Sequence, residues 1–169
     1  ARGDDVLVPA NFNATGQIVI SGSRTACERA VTAAGEMRLR ATSLSVAGAF
    51  HSPLMAPAAQ GMAKALEEID FQPLSTIVYS NVTGKPHDPD NPELLKVRLI
   101  EQLTTPVRWS SNCLDLVRTI SEFPESDRPR IHELAPGKVL KGLFRRIDKT
   151  VEVTSHDQPD PTLDHSNVS

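Results

Sequence analysis

Several features of nucleic-acid-binding and membrane proteins are missing from this chain of 169 residues. It has five Phe, one Tyr and one Trp, too few to predict a stacking platform for single-stranded nucleic acid. Its 18 basic and 21 acidic residues sum to a net charge of −3, so there is no basic excess to neutralise a phosphate backbone. No apolar run approaches the roughly 18 residues that would span a membrane. We therefore expect neither a nucleic-acid nor a membrane partner.

Cysteine and histidine are too few and too scattered to predict a disulfide framework or a metal centre. The two cysteines, Cys27 and Cys113, lie far apart in apolar helical patterns, which fits a reducing, cytoplasmic location. No two of the five histidines have the spacing of metal ligands, so no metal is expected. No basic segment followed by an apolar one opens the sequence, so no secretory leader is predicted. The first residue is Ala rather than Met, and a strand-like pattern follows at once, as in a sequence that begins inside a domain.

Short apolar runs alternate with helical patterns, which predicts an α/β fold with a largely parallel sheet. A capping-box pattern at Thr25 and Glu28 marks the start of the first helix. The predicted strands are 4–10, 17–20, 38–46, 76–82, 130–134 and 150–153, with a polar turn at 11–16. The predicted helices are 25–34, 54–69, one following Asn91-Pro92, 109–120 and 138–147. From residue 155 on, Asp, Pro, Ser, His and Asn dominate, which predicts a disordered tail.

His51 is the strongest candidate for chemistry when the residues are taken one by one. It lies between the strand predicted to end near Val46 and the helix predicted to begin near Pro53. Ligands of parallel α/β folds bind outside the carboxyl ends of the strands, and histidine can act as a general acid or base near neutral pH. The alternative, which position alone favours, is a helix-capping or core histidine.

Other polar residues have ordinary explanations when they are considered alone. Asn11 and Asn13 lie in the predicted turn, where asparagine often bonds its own backbone. Gln102 lies near the end of a helix and is expected to be exposed there. His132, beside Glu133 in a predicted strand, is interpreted as structural. No G-x-S-x-G string occurs in the 169 residues, so the nucleophile elbow of the hydrolases is missing.

Five groups of strings, taken in order, resemble the malonyl-CoA:acyl carrier protein transacylase family, which includes the acyltransferase domains of polyketide and fatty acid synthases. Each string alone is weak, but their order and spacing fit the family from near residue 8 to near residue 150. The strings are NFN and GQIVISG (11–13 and 16–22), FHSPLM (50–55), YSNVTG (79–84), QL and PVRW (102–103 and 106–109), and Glu133 with PGKVL (136–140).

The resemblance implies an α/β-hydrolase-like core with an inserted ferredoxin-like subdomain. Residues 1–46 would be part of that small subdomain, 47–154 the C-terminal part of the acyltransferase core, and 155–169 the disordered tail. The family's G-H-S-x-G serine, its carboxylate-binding arginine and its oxyanion-hole segment would all lie upstream of Ala1. This chain would then hold the base without the nucleophile, and by itself it should not catalyse transfer.

The implied reaction is ping-pong transfer of malonyl from coenzyme A, through a serine, to the phosphopantetheine thiol of acyl carrier protein. His51 aligns with the family's base, which accepts the serine proton and returns it to the leaving thiol, and Gln102 aligns with the position whose backbone carbonyl orients that base. Asn11 and Asn13 are both retained as candidates for the active-site asparagine. Phe50 would narrow the pocket against a methyl branch, which a pocket discriminates by only about 1–3 kcal/mol.

The expected partners are therefore malonyl-CoA and acyl carrier protein, with no cofactor other than the phosphopantetheine that the carrier protein bears. The protein would be a monomer or a domain of a larger synthase. The alternative is a truncated, non-catalytic relative that only binds carrier protein or coenzyme A. A hydrolase on the same fold is disfavoured, because the NFN and FHSP strings resemble the transferases.

Overall fold

The structure, a computed structural model, describes residues 5–134 and 136–157. The chain divides into two compact units, Ala1–Asn112 and Cys113–Ser169, and each is described below by itself. Both contain helices and short strands, so the α/β class expected from the sequence is confirmed at that level. Ala135 and most of the predicted tail, residues 158–169, lie outside the described residues.

The first unit begins with an antiparallel hairpin of β1 (Leu7–Ala14) and β2 (Gln17–Gly22). Gly16 closes it with a φ of 74°, a left-handed conformation that glycine adopts without a steric penalty. The other edge of β1 is paired as well: Val107 N–H donates to the Ala10 carbonyl, and Phe12 N–H donates to the Val107 carbonyl, both at 2.8 Å. β1 is therefore bonded along both edges.

The segment from Asn11 to Asn13 was predicted as a turn, and that prediction is wrong, because all three residues lie in β1. The register between the strands shifts twice, between Pro9 and Asn11 and between Phe12 and Ala14. Each shift places one extra residue in β1, which is a β-bulge. Hydrogen bonds to neighbours on both sides thus override the local turn preference of asparagine.

Helix α1 (Arg24–Glu36) follows the hairpin, two residues longer than predicted at its C-terminal end. The predicted capping box is wrong. Ser23 is the N-cap residue and makes no side-chain capping bond. The hydroxyls of Ser23 and Thr25 instead donate to the Asp5 carboxylate, at 3.0 and 2.8 Å. This carboxylate joins the start of β1 to the head of α1.

Two predicted strands are not formed. The segment 38–46 pairs with no described residue, and the segment 76–82 contributes only a single bridge, between Tyr79 and Pro86. The first has the alternation of a strand and the second is a short apolar run, but such patterns specify only which side chains share a face or are apolar. A strand also needs a partner for its backbone groups. Within the described ranges, the predicted parallel sheet is replaced by two separate two-stranded sheets.

The helices predicted for the rest of the first unit are present. A 3₁₀ turn (Pro53–Met55) leads into α2 (Ala56–Glu67), and α2 packs against α3 (Pro92–Glu101). The Asn91 side chain accepts a hydrogen bond from Leu94 N–H at 2.9 Å, so the predicted cap is confirmed. Helix α4 (Trp109–Ser121) crosses the boundary between the two units.

The second unit contains a parallel pair of short strands and one further helix. Strand β3 (Ile131–Glu133) pairs with β4 (Val153–Ser155), and α5 (Val139–Ile147) connects them. Phe144 and Val153 are buried in this unit. The last strand covers 153–155 and not the predicted 150–153, so only Val153 is shared. The first residue of the predicted tail is therefore paired in β4.

Candidate active site

His51 lies in a tight loop, and its backbone has an unusual conformation. Its φ is 61°, in the left-handed region that residues with a β-carbon seldom adopt. Two successive carbonyls from the C-terminal end of α3 hold it there. The backbone N–H of His51 donates to the Leu103 carbonyl at 3.2 Å, and Nδ1 lies 2.8 Å from the Gln102 carbonyl oxygen. The structure thus brings together His51 and Gln102, which the family resemblance had paired.

This contact fixes the tautomer of the imidazole. A carbonyl oxygen can only accept a hydrogen bond, so Nδ1 of His51 must carry the hydrogen. In the neutral ring, Nε2 then has a free lone pair. A ring held in this way can accept a proton at Nε2 while its orientation is maintained through Nδ1.

The end of α3 has a bond pattern that leaves these two carbonyls available. The Glu101 carbonyl accepts the backbone N–H groups and the hydroxyls of both Thr104 and Thr105. These bonds form the turn that follows α3. The carbonyls of Gln102 and Leu103, which have no partner inside the helix, are then bonded to His51.

A second loop supports Gln102 from its side-chain end. Asn81 Nδ2 donates to Gln102 Oε1 at 3.4 Å, a long and weak bond. The Asn81 carbonyl accepts from Arg108 N–H at 2.9 Å, and Arg108 Nε donates to the Val82 carbonyl at 3.0 Å. Asn81 was not among the predicted site residues. The only signal for it was its place in the YSNVTG string.

The two candidate asparagines are placed near this network only through the backbone. Asn11 forms a parallel bridge with Val107, the residue before Arg108. Asn11 and Asn13 are both partly exposed in β1, and neither side chain hydrogen-bonds to another residue of the part that the structure describes. The structure therefore does not separate the roles of the two residues. Phe50, the neighbour of His51, is 44 % exposed.

Glu133 was selected only as part of a string, and the structure gives it a definite set of partners. Its side chain accepts bonds from Leu140 N–H (2.8 Å), Lys141 N–H (3.1 Å) and the Ser155 hydroxyl (2.8 Å). The residue is only 4 % exposed. Burial opposes ionisation, but the bonds from Ser155, Leu140 and Lys141 outweigh it and lower the pKa of Glu133. The carboxylate caps α5 and joins it to β4.

Two further titratable candidates, His132 and Cys113, have contacts or burial that explain them without a catalytic role. His132, interpreted as structural, has its Nδ1 2.9 Å from Nε2 of His156, and both rings are exposed. Burial raises the pKa of the Cys113 thiol to about 12, so this cysteine is protonated at neutral pH and is not a nucleophile. Within 5–134 and 136–157, no three metal-ligating side chains are grouped, and none of the helices has the length and apolar character to cross a bilayer.

Comparison with known proteins shows which class of enzyme this chain is similar to. The relatives of this chain are acyl transferases, and in particular malonyl-CoA:acyl carrier protein transacylases, so the predicted resemblance is confirmed. The chain is 34 % identical over 157 residues to the Escherichia coli K12 transacylase (91 % of this chain, 47 % of that protein). It is 35 % identical over 153 residues to that of Bacillus subtilis (89 % and 45 %).

Solved structures of transacylases also match this chain. The Xanthomonas oryzae transacylase superimposes with a TM-score of 0.81 at 35 % identity, covering 93 % of this chain and 48 % of that one. A malonyl-transacylase in complex with a type II polyketide synthase acyl carrier protein superimposes with a TM-score of 0.79 at 34 % identity, covering 91 % and 47 %. No family model matches the chain. The chain spans about half the length of the relatives it matches and corresponds to their C-terminal half.

Proposed function

We propose that this chain is the C-terminal half of a malonyl-CoA:acyl carrier protein malonyltransferase, and that His51 is its general base. The observation that carries the proposal is the 2.8 Å contact between His51 Nδ1 and the Gln102 carbonyl, which leaves Nε2 able to take a proton. In the same proposal, the first unit comprises part of a ferredoxin-like subdomain and part of a hydrolase-like core. The nucleophilic serine is supplied by a segment outside these 169 residues.

The proposed reaction has two half-reactions with one proton carrier. His51 Nε2 accepts the serine hydroxyl proton while the serine oxygen attacks the malonyl thioester carbonyl. The imidazolium then protonates the departing coenzyme A sulfur, which leaves a malonyl ester on the serine. In the second half-reaction, Nε2 takes the proton of the carrier protein's phosphopantetheine thiol, whose sulfur attacks that ester, and returns the proton to the serine oxygen.

The Gln102 carbonyl would act throughout as the orienting acceptor. When Nε2 gains a proton, the ring becomes a cation at the C-terminal end of α3, where the helix dipole is negative. This arrangement supplies a favourable partner for the transient charge without a carboxylate. A chain that only bound coenzyme A or carrier protein would have no need for a ring fixed with Nε2 free, so we favour catalysis over the binding-only alternative.

The substrate contacts are proposed with the same residues as before. Phe50 would limit the space beside the base, and Asn11 or Asn13 would contact the acyl substrate. The partners would be malonyl-CoA and an acyl carrier protein. We infer this from the relatives named above, one of which was solved with its carrier protein. We propose a cytoplasmic enzyme, as a monomer or as a domain of a synthase, that requires no metal.

The test is a malonyl-transfer assay on the complete protein that contains this chain, with radiolabelled malonyl-CoA and holo carrier protein. His51→Ala is expected to lower the transfer rate on the order of 10²- to 10⁴-fold, because the serine loses its base. His132→Ala is the matched control and should transfer at the normal rate. Near-normal turnover of His51→Ala would overturn the assignment, as would transfer by the isolated 169-residue chain.

A further inference from the structure

Ser52 directly follows His51 and is the most completely buried side chain near the site. Its relative exposure is 0 %. Its hydroxyl donates to the Ala49 carbonyl at 2.6 Å and accepts from Leu54 N–H at 3.3 Å. The carbonyl of Ser52 also accepts from Met55 N–H at 3.0 Å. One side chain thus joins the backbone before His51 to the backbone after it.

The loop needs such a connection because of the backbone of His51. Its φ of 61° is disfavoured for any residue with a β-carbon. Conformations of this kind persist only where the surrounding structure over-determines them. On one side the carbonyls of Leu103 and Gln102 hold His51. On the other side the Ser52 hydroxyl closes the loop, and it is the only side chain within 49–54 whose hydrogen bonds do so.

The direction of the imidazole depends on that same backbone. The two bonds from His51 to α3 run from adjacent parts of one residue, its N–H and its ring, to two successive carbonyls. If the loop relaxed to an ordinary negative φ, the direction of the Cα–Cβ bond would change, and both bonds could not be kept. The loop conformation and the ring orientation are therefore coupled.

We propose that Ser52 is a positioning residue for His51: its hydroxyl holds the left-handed loop and thereby keeps Nδ1–H on the Gln102 carbonyl and Nε2 free. Its catalytic consequence rests on the proposed function. Its effect on the ring does not, because the ring can be observed in this chain without any substrate. The competing explanation is that Ser52 only caps the 3₁₀ turn at Pro53–Met55. In that case its loss would lower stability and leave the ring unchanged.

The first experiment is NMR of the complete protein that contains this chain, labelled with ¹⁵N-histidine, at a pH where the rings are neutral. The ¹⁵N shifts of Nδ1 and Nε2 distinguish the protonated from the unprotonated nitrogen. In the unaltered chain His51 should be a single tautomer with the hydrogen on Nδ1. In Ser52→Ala it should become a mixture of tautomers. Ser155→Ala, which also removes a hydroxyl hydrogen bond, should leave the His51 signals in place.

A second variant guards against simple unfolding. Ser52→Cys keeps the shape and a weak donor, so it should show a smaller tautomer change than Ser52→Ala. Unchanged His51 signals in a folded Ser52→Ala would overturn the proposal. Loss of the fold in both variants would also overturn it, because Ser52 would then serve stability and not position.

The second experiment measures transfer by the complete protein. Ser52→Ala should lower kcat on the order of 10- to 100-fold, because a misdirected base is costly, while KM for malonyl-CoA stays within about twofold. An equal fall for Ser155→Ala would overturn the positioning role. If His51→Ala transferred normally, the proposed function would fail, but the tautomer result for Ser52 would still stand.

Discussion

Each unit of the chain places an ionisable side chain at the end of a helix, and the two arrangements are opposite. In the first unit, His51 donates to carbonyls at the C-terminal end of α3. In the second, Glu133 accepts from the N–H groups at the N-terminal end of α5. Both obey the helix dipole, which favours a cation at the C-terminus and an anion at the N-terminus.

The two side chains differ in how much of their hydrogen-bonding capacity is used. Both oxygens of Glu133 are occupied, by Leu140, Lys141 and Ser155 together, and the residue is buried. The His51 ring has one nitrogen occupied and one free. A side chain whose bonding capacity is fully used stabilises the fold, whereas one that is fixed and incompletely bonded can exchange a proton. We expect substitutions at the two places to affect different properties.

The largest effect that would test this contrast is expected from Glu133→Ala. It leaves two backbone N–H groups of α5 and the Ser155 hydroxyl without their acceptor, and unpaired buried donors are costly. The urea midpoint of unfolding should fall substantially, and Glu133→Gln, which keeps one acceptor, should fall less. Circular dichroism measures both, with exposed Glu122→Gln as the control. If Glu133→Ala unfolded at the same urea concentration as the unaltered chain, the contrast would be broken.

An intermediate effect is expected at Phe50, the residue before His51. Phe50→Ser should raise the use of methylmalonyl-CoA relative to malonyl-CoA by roughly 10- to 200-fold at most, since one methyl group is worth about 1–3 kcal/mol in a pocket. Because Phe50 is half exposed, the urea midpoint should hardly change. Competition between the two substrates on the complete protein measures the ratio. An unchanged ratio would mean that Phe50 does not select the substrate.

The smallest effect is expected from Asp5, a third ionisable side chain near a helix end. Hydrogen bonds from Arg29, Thr25 and Ser23 lower the pKa of Asp5 from 3.8 to about 2. The folded state therefore binds fewer protons than the unfolded state between these values. The contribution of Asp5 to stability is complete above about pH 5 and is lost as the pH falls through 4 towards 2.

Asp5→Asn should therefore flatten the acid dependence only in that window. Urea midpoints at pH 5 and pH 2.5 would show it, with the variant losing less between the two pH values than the unaltered chain. The change should be small because about half of the Arg29 side chain is exposed, and ion pairs that water reaches contribute little. An identical slope for both proteins would mean that Asp5 is not bonded in this way in solution.

Local patterns predicted the helices better than the strands. The Asn91-Pro92 pair predicts the start of a helix by itself, because it offers a capping residue followed by a residue suited to the first turn. The structure has that cap. The alternation in 38–46 carries no information about a partner, and no strand forms there. In β1 the error is reversed, since part of the predicted turn forms a strand. The bonds of β1 to Val107 and β2 depend on residues distant in sequence, which local patterns do not show.

The candidate site also has features that the sequence predicted and features that it did not. The position of His51 just before a helix could be read from the chain, but the strand predicted to precede it is not formed, and the contact with Gln102 came only from the family resemblance. The reason is physical: Gln102 acts through its carbonyl, which every residue has, so its identity carries no signal. Ser52 and Glu133 likewise bond to backbone groups, and their residue types alone do not indicate these roles. The catalytic roles of His51 and Gln102 stay predictions until the assays are done.

The positive φ of His51 also bears on how this position can change over time. Glycine would relieve a backbone cost of roughly 1–2 kcal/mol there, in exchange for one hydrogen bond worth about 1 kcal/mol. A glycine at residue 51 would therefore be tolerated by the fold while abolishing the proposed chemistry. A mutation to glycine at this position would change the stability of the fold little, so only selection for activity would keep an imidazole there.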